Sequence, residues 1–205
     1  AANYAEAFAY ALRAFALQPN VAAARLEVGL LLMLTGSVRD AMPFYDARHY
    51  NVRHPGQRWL GEATDQPVTV LAEQGLGDTI QFCRYIPMVQ AIAASVVVAV
   101  PAPLLDLMAR SFPGVCVVSA DDDVPTTAEV HCPLMSLPLA FGTELATIPA
   151  PKRYLSVSEE RFQRFADEIG PRRRPRVGLV WNGGIRNDRT VSWARRRDID
   201  FSIFS

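Results

Sequence analysis

The segment 73–79 carries the strongest chemical signal in the sequence, because two glycines and an aspartate follow a β-branched run and open an amphipathic helical pattern. Gly75 and Gly77 let the backbone turn tightly and approach a ligand, and the free amides at the start of the next helix favour anionic groups. In open parallel sheets, ligands bind beyond the carboxyl ends of strands. The sequence therefore predicts a ligand-binding loop here, with Asp78 facing the crevice.

Two familiar nucleotide-binding motifs do not fit this loop. A dinucleotide fingerprint needs a third glycine, where this chain has Gln81, and an acidic residue at the end of the second strand, where it has Val100. A P-loop would end in Gly-Lys-Ser or Gly-Lys-Thr, which the loop lacks. Taken alone, Asp78 has a simpler interpretation as a helix N-cap that accepts from the amides two or three residues later. A carboxylate with a chemical role is the other interpretation.

Few other residues are candidates for chemistry. His131 ends a predicted strand and is expected to line the same crevice, the alternative being a packed strand-end residue. The three cysteines occur singly, with no CxxC pair and no histidine at metal-ligand spacing, so we predict no metal site and a reduced, cytoplasmic setting. We expect Cys83 to be buried and inert. The acidic run at 121–123 is interpreted as a solvated loop.

A sheet must position these residues, because short β-branched runs alternate with amphipathic helical patterns after residue 57. Near-continuous apolar strands that alternate with helices are typical of a parallel sheet covered on both faces. The predicted fold class is therefore α/β, with a doubly wound, Rossmann-like parallel sheet. The predicted strands are 68–72, 96–100, 115–118, 129–131 and 177–181, and the predicted helices are 78–93, 104–111 and 159–169.

The first fifty residues contain a repeat with a period of 34 residues. This period, with small Gly29 and Ala41 where two helices would cross, resembles the tetratricopeptide (TPR) repeat. We expect Tyr10, Phe44 and Tyr45 to fill the gaps between the helices, and a generic helical hairpin is the alternative. Since roughly three repeats are needed for stability, the hairpin is expected to cap the next domain or to continue upstream. The repeat matches Glu6, Ala7, Tyr10 and Ala11 with Asp40, Ala41, Phe44 and Tyr45.

Composition excludes several classes of protein. Of 205 residues, 50% are apolar and 20% charged, as in ordinary globular proteins. Lys plus Arg and Asp plus Glu both number 21, so bulk charge gives no indication of a nucleic-acid partner. The apolar run at 28–34 is far shorter than the roughly 20 residues of a transmembrane helix, and we predict none. We expect both termini to be cut, because the chain starts without a methionine and stops within an apolar segment.

Several segments occur together in an order that resembles one enzyme family. The unit at 75–82 is similar to the opening of the heptosyltransferase-type glycosyltransferases, and the upstream repeat is typical of their TPR-containing bacterial members. The likeness extends over nearly the whole chain. The other matching segments are Trp59-Leu60-Gly61-Glu62, Ala72-Glu73-Gln74-Gly75, His131-Cys132-Pro133-Leu134-Met135-Ser136-Leu137-Pro138 and Gly178-Leu179-Val180-Trp181.

The resemblance implies a GT-B glycosyltransferase, in which a Rossmann-like acceptor domain faces a Rossmann-like nucleotide-sugar domain across a cleft, with no metal or other cofactor. It implies that Asp78 is the general base for an acceptor hydroxyl, a role that suits a carboxylate within hydrogen-bond reach. Arg197 would contact the donor diphosphate, although Arg195 or Arg196 fits equally and an exposed basic loop is an alternative. The implied substrate-binding residues are Gln74, Gly75, Gly77, Thr79, His131, Trp181, Asn182, Gly183, Gly184 and Arg197.

The sequence thus predicts TPR-like repeats at 1–57, the acceptor domain, which is the N-terminal half of a GT-B fold, at 58–170, and a linker with the start of the donor domain at 171–205. The arginines at 172–174 are interpreted as a solvated linker, with a phosphate-binding or nucleic-acid-binding patch as the alternative. We expect hexosyl or heptosyl transfer from a nucleotide sugar to a protein or glycan acceptor, with a protein partner on the repeats.

Since most of the donor domain would be missing, this chain is expected to be inactive alone. A non-catalytic TPR interaction scaffold with a supporting α/β domain is the alternative function, and a nucleotide-binding regulatory domain is a weaker one.

Overall fold

The computed structural model describes residues 3–48, 56–121, 130–171, 174–180 and 199–204. The chain divides into two compact units, Ala1–Ser158 and Glu159–Ser205. Over the described ranges, no helix has the length and apolar character needed to cross a membrane. The domain boundaries expected at residues 57 and 170 stay predictions.

Three helices open the first unit: α1 (Tyr4–Leu17), α2 (Ala22–Leu34) and α3 (Val38–Tyr45). α2 ends at a left-handed glycine, Gly36, with φ +84°. The amides of Gly36 and Ser37 donate to the carbonyls of Met33 and Leu32, both at 3.0 Å. This pair of hydrogen bonds is the Schellman motif, which satisfies the last carbonyls of a helix and directs the chain into α3.

Small residues allow α2 and α3 to cross closely, as predicted. A Cβ on Gly29 would lie 2.7 Å from the amide nitrogen of Tyr45. Ala41 is fully buried at the same crossing. Phe44 packs edge-on against Phe15 of α1, with ring centroids 5.3 Å apart. The helical hairpin therefore depends on backbone approach at Gly29, with aromatic packing beside it.

A second apolar face of this helical segment is exposed. Tyr10 was expected to fill a gap between helices, and that prediction is wrong because the side chain is 64% exposed. The other exposed large apolar side chains of α1 and its flanks are Tyr4, Leu12, Leu17 and Val21.

Five strands form one all-parallel sheet in the rest of this unit: β1 (Gln57–Arg58), β2 (Thr64–Leu71), β3 (Ala93–Val100), β4 (Cys116–Ser119) and β5 (Val130–Pro133). Their order across the sheet is β1-β5-β2-β3-β4. Val68 on β2 pairs with Val96 on β3 and with Val130 on β5. The predicted parallel α/β fold of Rossmann-like type is confirmed.

The four strands predicted between residues 68 and 131 are present with shifted ends. β1 was not predicted, because a strand of two residues has no periodic pattern. It is held by pairing with β5, where Gln57 lies opposite Val130, and by the Trp59 amide, which donates to the carbonyl of His131 at 2.7 Å. The strand conformation of β1 therefore depends on its pairing with β5.

Short helices connect the strands: α4 (Leu76–Phe82), α5 (Ile86–Gln90), α6 (Leu105–Ser111) and α7 (Leu137–Ala140). The continuous helix predicted at 78–93 is wrong, since a 3-10 turn at Cys83–Tyr85 separates α4 from α5 and β3 begins at Ala93. Pro87 has no amide to donate to the Cys83 carbonyl, which accepts from Ile86 instead. The helix breaks where the proline removes its hydrogen bond.

Alternate residues on the strands pack with these helices in one core. Cys83 belongs to this core, as predicted, and burial raises the pKa of its thiol to about 12. The thiol is therefore protonated and unreactive at neutral pH. The buried strand residues are Val68, Val70, Val96, Val98, Val100 and Cys132, and the main helix contributions are Ile86, Val89, Met108 and Leu137.

The second unit contains α8 (Glu159–Ile169), with the predicted bounds. Its large apolar side chains, Phe162, Phe165 and Ile169, are exposed. The strand predicted at 177–181 is wrong in its described part, because residues 174–180 have no regular secondary structure. A parallel strand needs a hydrogen-bonded neighbour, and among the described strands none pairs with this segment, whose Val180 is 91% exposed.

Candidate functional site

The candidate site lies where the order of the strands reverses. β3 and β4 lie on one side of β2, whereas β5 and β1 lie on the other. Leu71 and Pro133, the last residues of β2 and β5, are paired in register, so both outgoing segments begin side by side. Open parallel sheets bind ligands at such a reversal, beyond the carboxyl ends of the strands. The loop that carries Asp78 therefore leaves the sheet at the position where ligands usually bind.

The loop after β2 has an unusual backbone conformation. Gln74 has φ +62°, and over the described ranges it is the one residue other than glycine with a positive φ. Left-handed backbone is unfavourable for a residue with a Cβ, so surrounding contacts must hold it. Gly75 follows as the N-cap of α4, and its carbonyl accepts from the amide and the hydroxyl of Thr79 at 3.1 and 3.2 Å. The loop is thus fixed on its helical side.

Asp78 reaches back to the start of α4. It is the third helical residue, and its Oδ2 accepts from the Gly75 amide at 2.9 Å. Its interpretation as the N-cap is corrected, because Gly75 holds that position and Asp78 makes the returning half of a capping box. In the part of the chain that the structure describes, this is the one hydrogen bond of the half-buried carboxylate, and Oδ1 makes none.

The other predicted loop residues differ in exposure. Gln74 and Gly77 are exposed, and a Cβ on Gly77 would meet nothing within 4 Å, so the backbone there is open to a ligand. Thr79 is fully buried, with its hydroxyl donated to a backbone carbonyl. Its side chain therefore holds the loop and does not face the crevice. Gly75 is half-buried, and its amide is engaged by Asp78.

His131 lies within β5 and not at its end, which corrects the prediction of a strand-end histidine. It pairs in register with Arg58 on β1 and with Thr69 on β2, and its side chain is half-buried. Cys132 and Pro133 still follow it in the strand. His131 is therefore set back from the loop by two strand positions.

The implied donor-binding residues lie outside the described residues. They are Trp181, Asn182, Gly183, Gly184 and Arg197. Of the residues of the implied site, the structure places Gln74, Gly75, Gly77 and Asp78 next to one another after β2, sets His131 back from them and describes none of the donor-side residues.

A buried polar network that sequence reasoning missed joins the end of α3 to both outgoing segments. Arg48 forms an ion pair with Glu73 Oε1, and its Nη2 also donates to Ser136 Oγ at 2.8 Å. The side chains of Arg48 and Glu73 are 3% and 1% exposed. The Met135 amide donates to the same Glu73 oxygen at 3.2 Å. One carboxylate therefore ties together the turn after α3, the segment after β2 and the segment after β5.

Asp46 extends this network toward β1. Its Oδ1 accepts from Ser136 Oγ at 2.6 Å, from Arg58 Nη2 at 2.7 Å and from Arg48 Nη1 at 3.4 Å. Acids and arginines thus alternate along the network, and the Ser136 hydroxyl accepts from Arg48 and donates to Asp46. The sequence contained a signal for this cluster, since Glu73 is an acid that directly follows an apolar strand and must be paired if it is buried.

Burial dominates the electrostatics of the network. It raises the pKa of Glu73 above its usual range, against the lowering by Arg48 and the Met135 amide, and Asp46 raises it further. Within the described ranges, no group donates a hydrogen bond to Glu73 Oε2, which is buried. Burial also raises the pKa of Tyr45, whose ring centroid lies 4.8 Å from the Arg48 guanidinium carbon. The phenol of Tyr45 is therefore protonated at neutral pH.

The described residues contain an apolar cavity, but it is not at the candidate site. Its volume is about 200 Å³, and Met33, Met42, Phe82 and Tyr85 contribute to its lining between α2, α3 and the segment after α4. None of the residues 73–79 lines it. The described ranges also contain no group of three or more His, Cys, Asp or Glu side chains that could hold a metal ion.

Comparison of the chain with protein-family models, with curated proteins and with solved structures finds no match.

Proposed function

We propose that this chain supplies the acceptor side of a glycosyltransferase that moves a sugar from a nucleotide-sugar donor to an acceptor hydroxyl. The observation that carries the proposal is the placement of the Asp78 carboxylate in the first turn of α4, directly after the loop that leaves β2 where the strand order reverses. The parallel α/β fold and the resemblance of the loop sequence to heptosyltransferase-type enzymes support it. The finer architecture, one half of a GT-B fold preceded by TPR-like repeats, is part of the same proposal.

Asp78 acts as the general base in this proposal. One carboxylate oxygen stays with the Gly75 amide, while Oδ1 accepts the proton of the acceptor hydroxyl. The acceptor oxygen then forms its bond to the anomeric carbon of the sugar. The bond from that carbon to the donor diphosphate breaks, and the nucleoside diphosphate leaves with the electron pair. No metal is needed, so transfer is expected to continue in the presence of a chelator.

The opening helices provide a protein-binding surface in this proposal. Tyr4, Tyr10, Leu12 and Leu17 are exposed on α1, which favours contact with a further repeat or with a protein partner. The alternative function, a non-catalytic interaction scaffold, rests on the same surface. The two functions differ in whether the carboxylate of Asp78 is required.

Replacement of Asp78 by asparagine tests the proposal. Transfer is measured with a panel of nucleotide sugars, in a protein where this chain is followed by a complete donor domain, because the resemblance implies that the chain itself holds only the start of that domain. An asparagine oxygen still accepts from the Gly75 amide, so the melting temperature is expected to stay unchanged. Loss of the base is expected to slow transfer by roughly 10²- to 10⁴-fold.

Asp106 gives the matched control, since it lies in the first turn of the helix that follows β3 and pairs with Arg110 on the surface. Asp106→Asn is expected to leave transfer unchanged. If Asp78→Asn transfers as fast as the wild type, Asp78 is not the base. If neither protein transfers or hydrolyses any donor while both bind the same peptide partner, the scaffold function is correct.

A further inference from the structure

The loop that carries Asp78 is held from two directions. On its helical side, the Gly75 carbonyl and amide bond to Thr79 and Asp78 at 2.9 to 3.2 Å. On its strand side, the residue before the left-handed Gln74 is Glu73, whose carboxylate bonds to Arg48 and to the Met135 amide. Gln74 is therefore the one strained residue between two anchored neighbours.

Such a conformation is retained only where its surroundings over-determine it. The helical anchor alone does not do so, because it begins at Gly75 and places no restraint on the peptide before Gln74. The Glu73 side chain supplies that restraint from within the protein, where the Arg48 and Glu73 side chains are almost completely buried. The direction in which the chain enters α4 thus depends on where Arg48 holds Glu73.

The same end of α3 brings an aromatic side chain to the loop. Tyr45 has its backbone packed against Gly29 and its ring beside the Arg48 guanidinium, at 4.8 Å. The charge of Asp78 raises the pKa of the Tyr45 phenol, whereas Gln74 lowers that pKa. Tyr45, the last residue of α3, is therefore within electrostatic reach of Asp78.

We propose that Arg48 and Glu73 are positioning residues for the site: their buried ion pair locks the end of α3 to the turn at Gln74 and so aims Asp78 into the crevice. This inference rests on the proposed role of Asp78 as the base. It makes the opening helices a structural part of the acceptor site and not a detachable adaptor. Residues far from the reacting atoms would then control the rate of transfer.

Hydrogen exchange of the Gly75 amide tests the geometry without any need for activity. The 205-residue chain is labelled with ¹⁵N, and exchange is compared between the wild type, Glu73→Gln and Arg48→Lys. Glu73→Gln is isosteric and Arg48→Lys conserves the positive charge, so the fold should persist in both variants. We expect the Gly75 amide to exchange at least about tenfold faster in each, while core amides such as that of Val98 keep their rates.

Arg39→Gln is the matched control, because Arg39 lies on α3, close in sequence to Arg48, and also forms an ion pair, but an exposed one with Glu144. Arg39→Gln should leave the exchange rate of the Gly75 amide unchanged. Transfer is measured in parallel, in the protein with a complete donor domain. Positioning predicts a kcat at least about tenfold lower in Glu73→Gln with the acceptor KM nearly unchanged, since a misplaced base impairs the transition state more than binding.

The possible results separate this inference from the proposed function. If the Gly75 amide exchanges at the wild-type rate in Glu73→Gln, the positioning role is refuted, whether or not transfer is observed. Faster exchange of the Gly75 and Val98 amides together also overturns it, since that result shows a general loss of stability. If the wild type transfers no sugar from any donor, the proposed function fails, and the exchange data still decide whether the ion pair sets the geometry of the loop.

Discussion

Replacement of Arg48 by methionine should destabilise the protein in a pH-dependent manner. Methionine keeps the aliphatic length of the side chain but removes the guanidinium, which pairs with Glu73 and donates to Ser136 at 2.8 Å. Glu73, 1% exposed, is then a buried carboxylate with only the Met135 amide as a described donor. Breaking a buried ion pair from one side is strongly unfavourable, because the remaining charge has no partner.

Protonation sets a ceiling on this loss. Glu73 can always accept a proton, so from a reference pKa of 4.5 the charge contributes at most about 3.4 kcal/mol at pH 7 and about 0.7 kcal/mol at pH 5. Burial already raises the pKa of Glu73 in the wild type, so the pH-dependent part should be smaller than this ceiling. The lost hydrogen bond to Ser136 adds about 1 kcal/mol at every pH. The expected total at pH 7 is therefore more than the about 1 kcal/mol of the lost hydrogen bond and less than about 4.4 kcal/mol.

The sign of the pH effect follows from the direction of the pKa shift. A carboxyl whose folded pKa is raised stabilises the fold fully below its unfolded pKa, and this contribution is lost as pH rises through the folded pKa. Since the loss of Arg48 raises the pKa of Glu73 further, the penalty of Arg48→Met should grow from pH 5 to pH 7. Urea denaturation at the two pH values measures it.

Two variants make this result decisive. Adding Glu73→Gln to Arg48→Met removes the buried charge, so the penalty should lose its pH dependence. Arg39→Gln, which breaks the exposed pair with Glu144, should lose no more than about 1 kcal/mol at either pH. The decrease in the free energy of unfolding caused by Arg48→Met would refute a buried Arg48–Glu73 ion pair if it is equal at pH 5 and pH 7. It would also do so if it is as small as that caused by Arg39→Gln.

Three further substitutions test the backbone geometry. Gly61→Ala should lower the free energy of unfolding, measured by urea denaturation, by about 2–4 kcal/mol, because Gly61 has φ +102° and a Cβ there would overlap the Ala140 carbonyl. A decrease below about 1 kcal/mol would contradict that close approach. Gly29→Val should lower the free energy of unfolding by about 1–3 kcal/mol, since its Cβ would overlap the Tyr45 amide. A free energy of unfolding close to that of the wild type would show that α2 and α3 cross less closely. Gln74→Gly should raise the free energy of unfolding by about 0.5–1 kcal/mol, because glycine adopts the left-handed backbone conformation without strain, and it should slow sugar transfer. A lower free energy of unfolding would argue against backbone strain at this position.

Local sequence patterns predicted most of the sheet. The β-branched runs at 68–72 and 96–100 are buried parallel strands, because their composition already demanded cover on both faces. The bounds of α8 were also correct, since its apolar spacing of three and four residues needs no tertiary partner to be recognised. Where a pattern depended on a neighbour, prediction failed. The segment at 177–180 has strand-forming residues but no described strand beside it.

The candidate site was predictable only in part. The glycines and Asp78 identified the loop, because their types have few other uses between a strand and a helix. Their exact assignments needed the structure: Gly75 is the N-cap, Asp78 reaches back to it, and Thr79 is buried. These differences of one to three residues decide which atom faces the crevice, and sequence spacing alone does not resolve them.

By itself the sequence determined the fold class, the order of the strands along the chain and the loop where chemistry is expected, because hydrophobic periodicity and turn residues act over a few residues. Only the tertiary structure decided the spatial order β1-β5-β2-β3-β4 and the meeting of Arg48 with Glu73 and Ser136. These residues are 25 and 88 positions apart along the chain. Pairing between them is selected by the cost of burying an unpaired charge, and that cost exists only once the chain has folded.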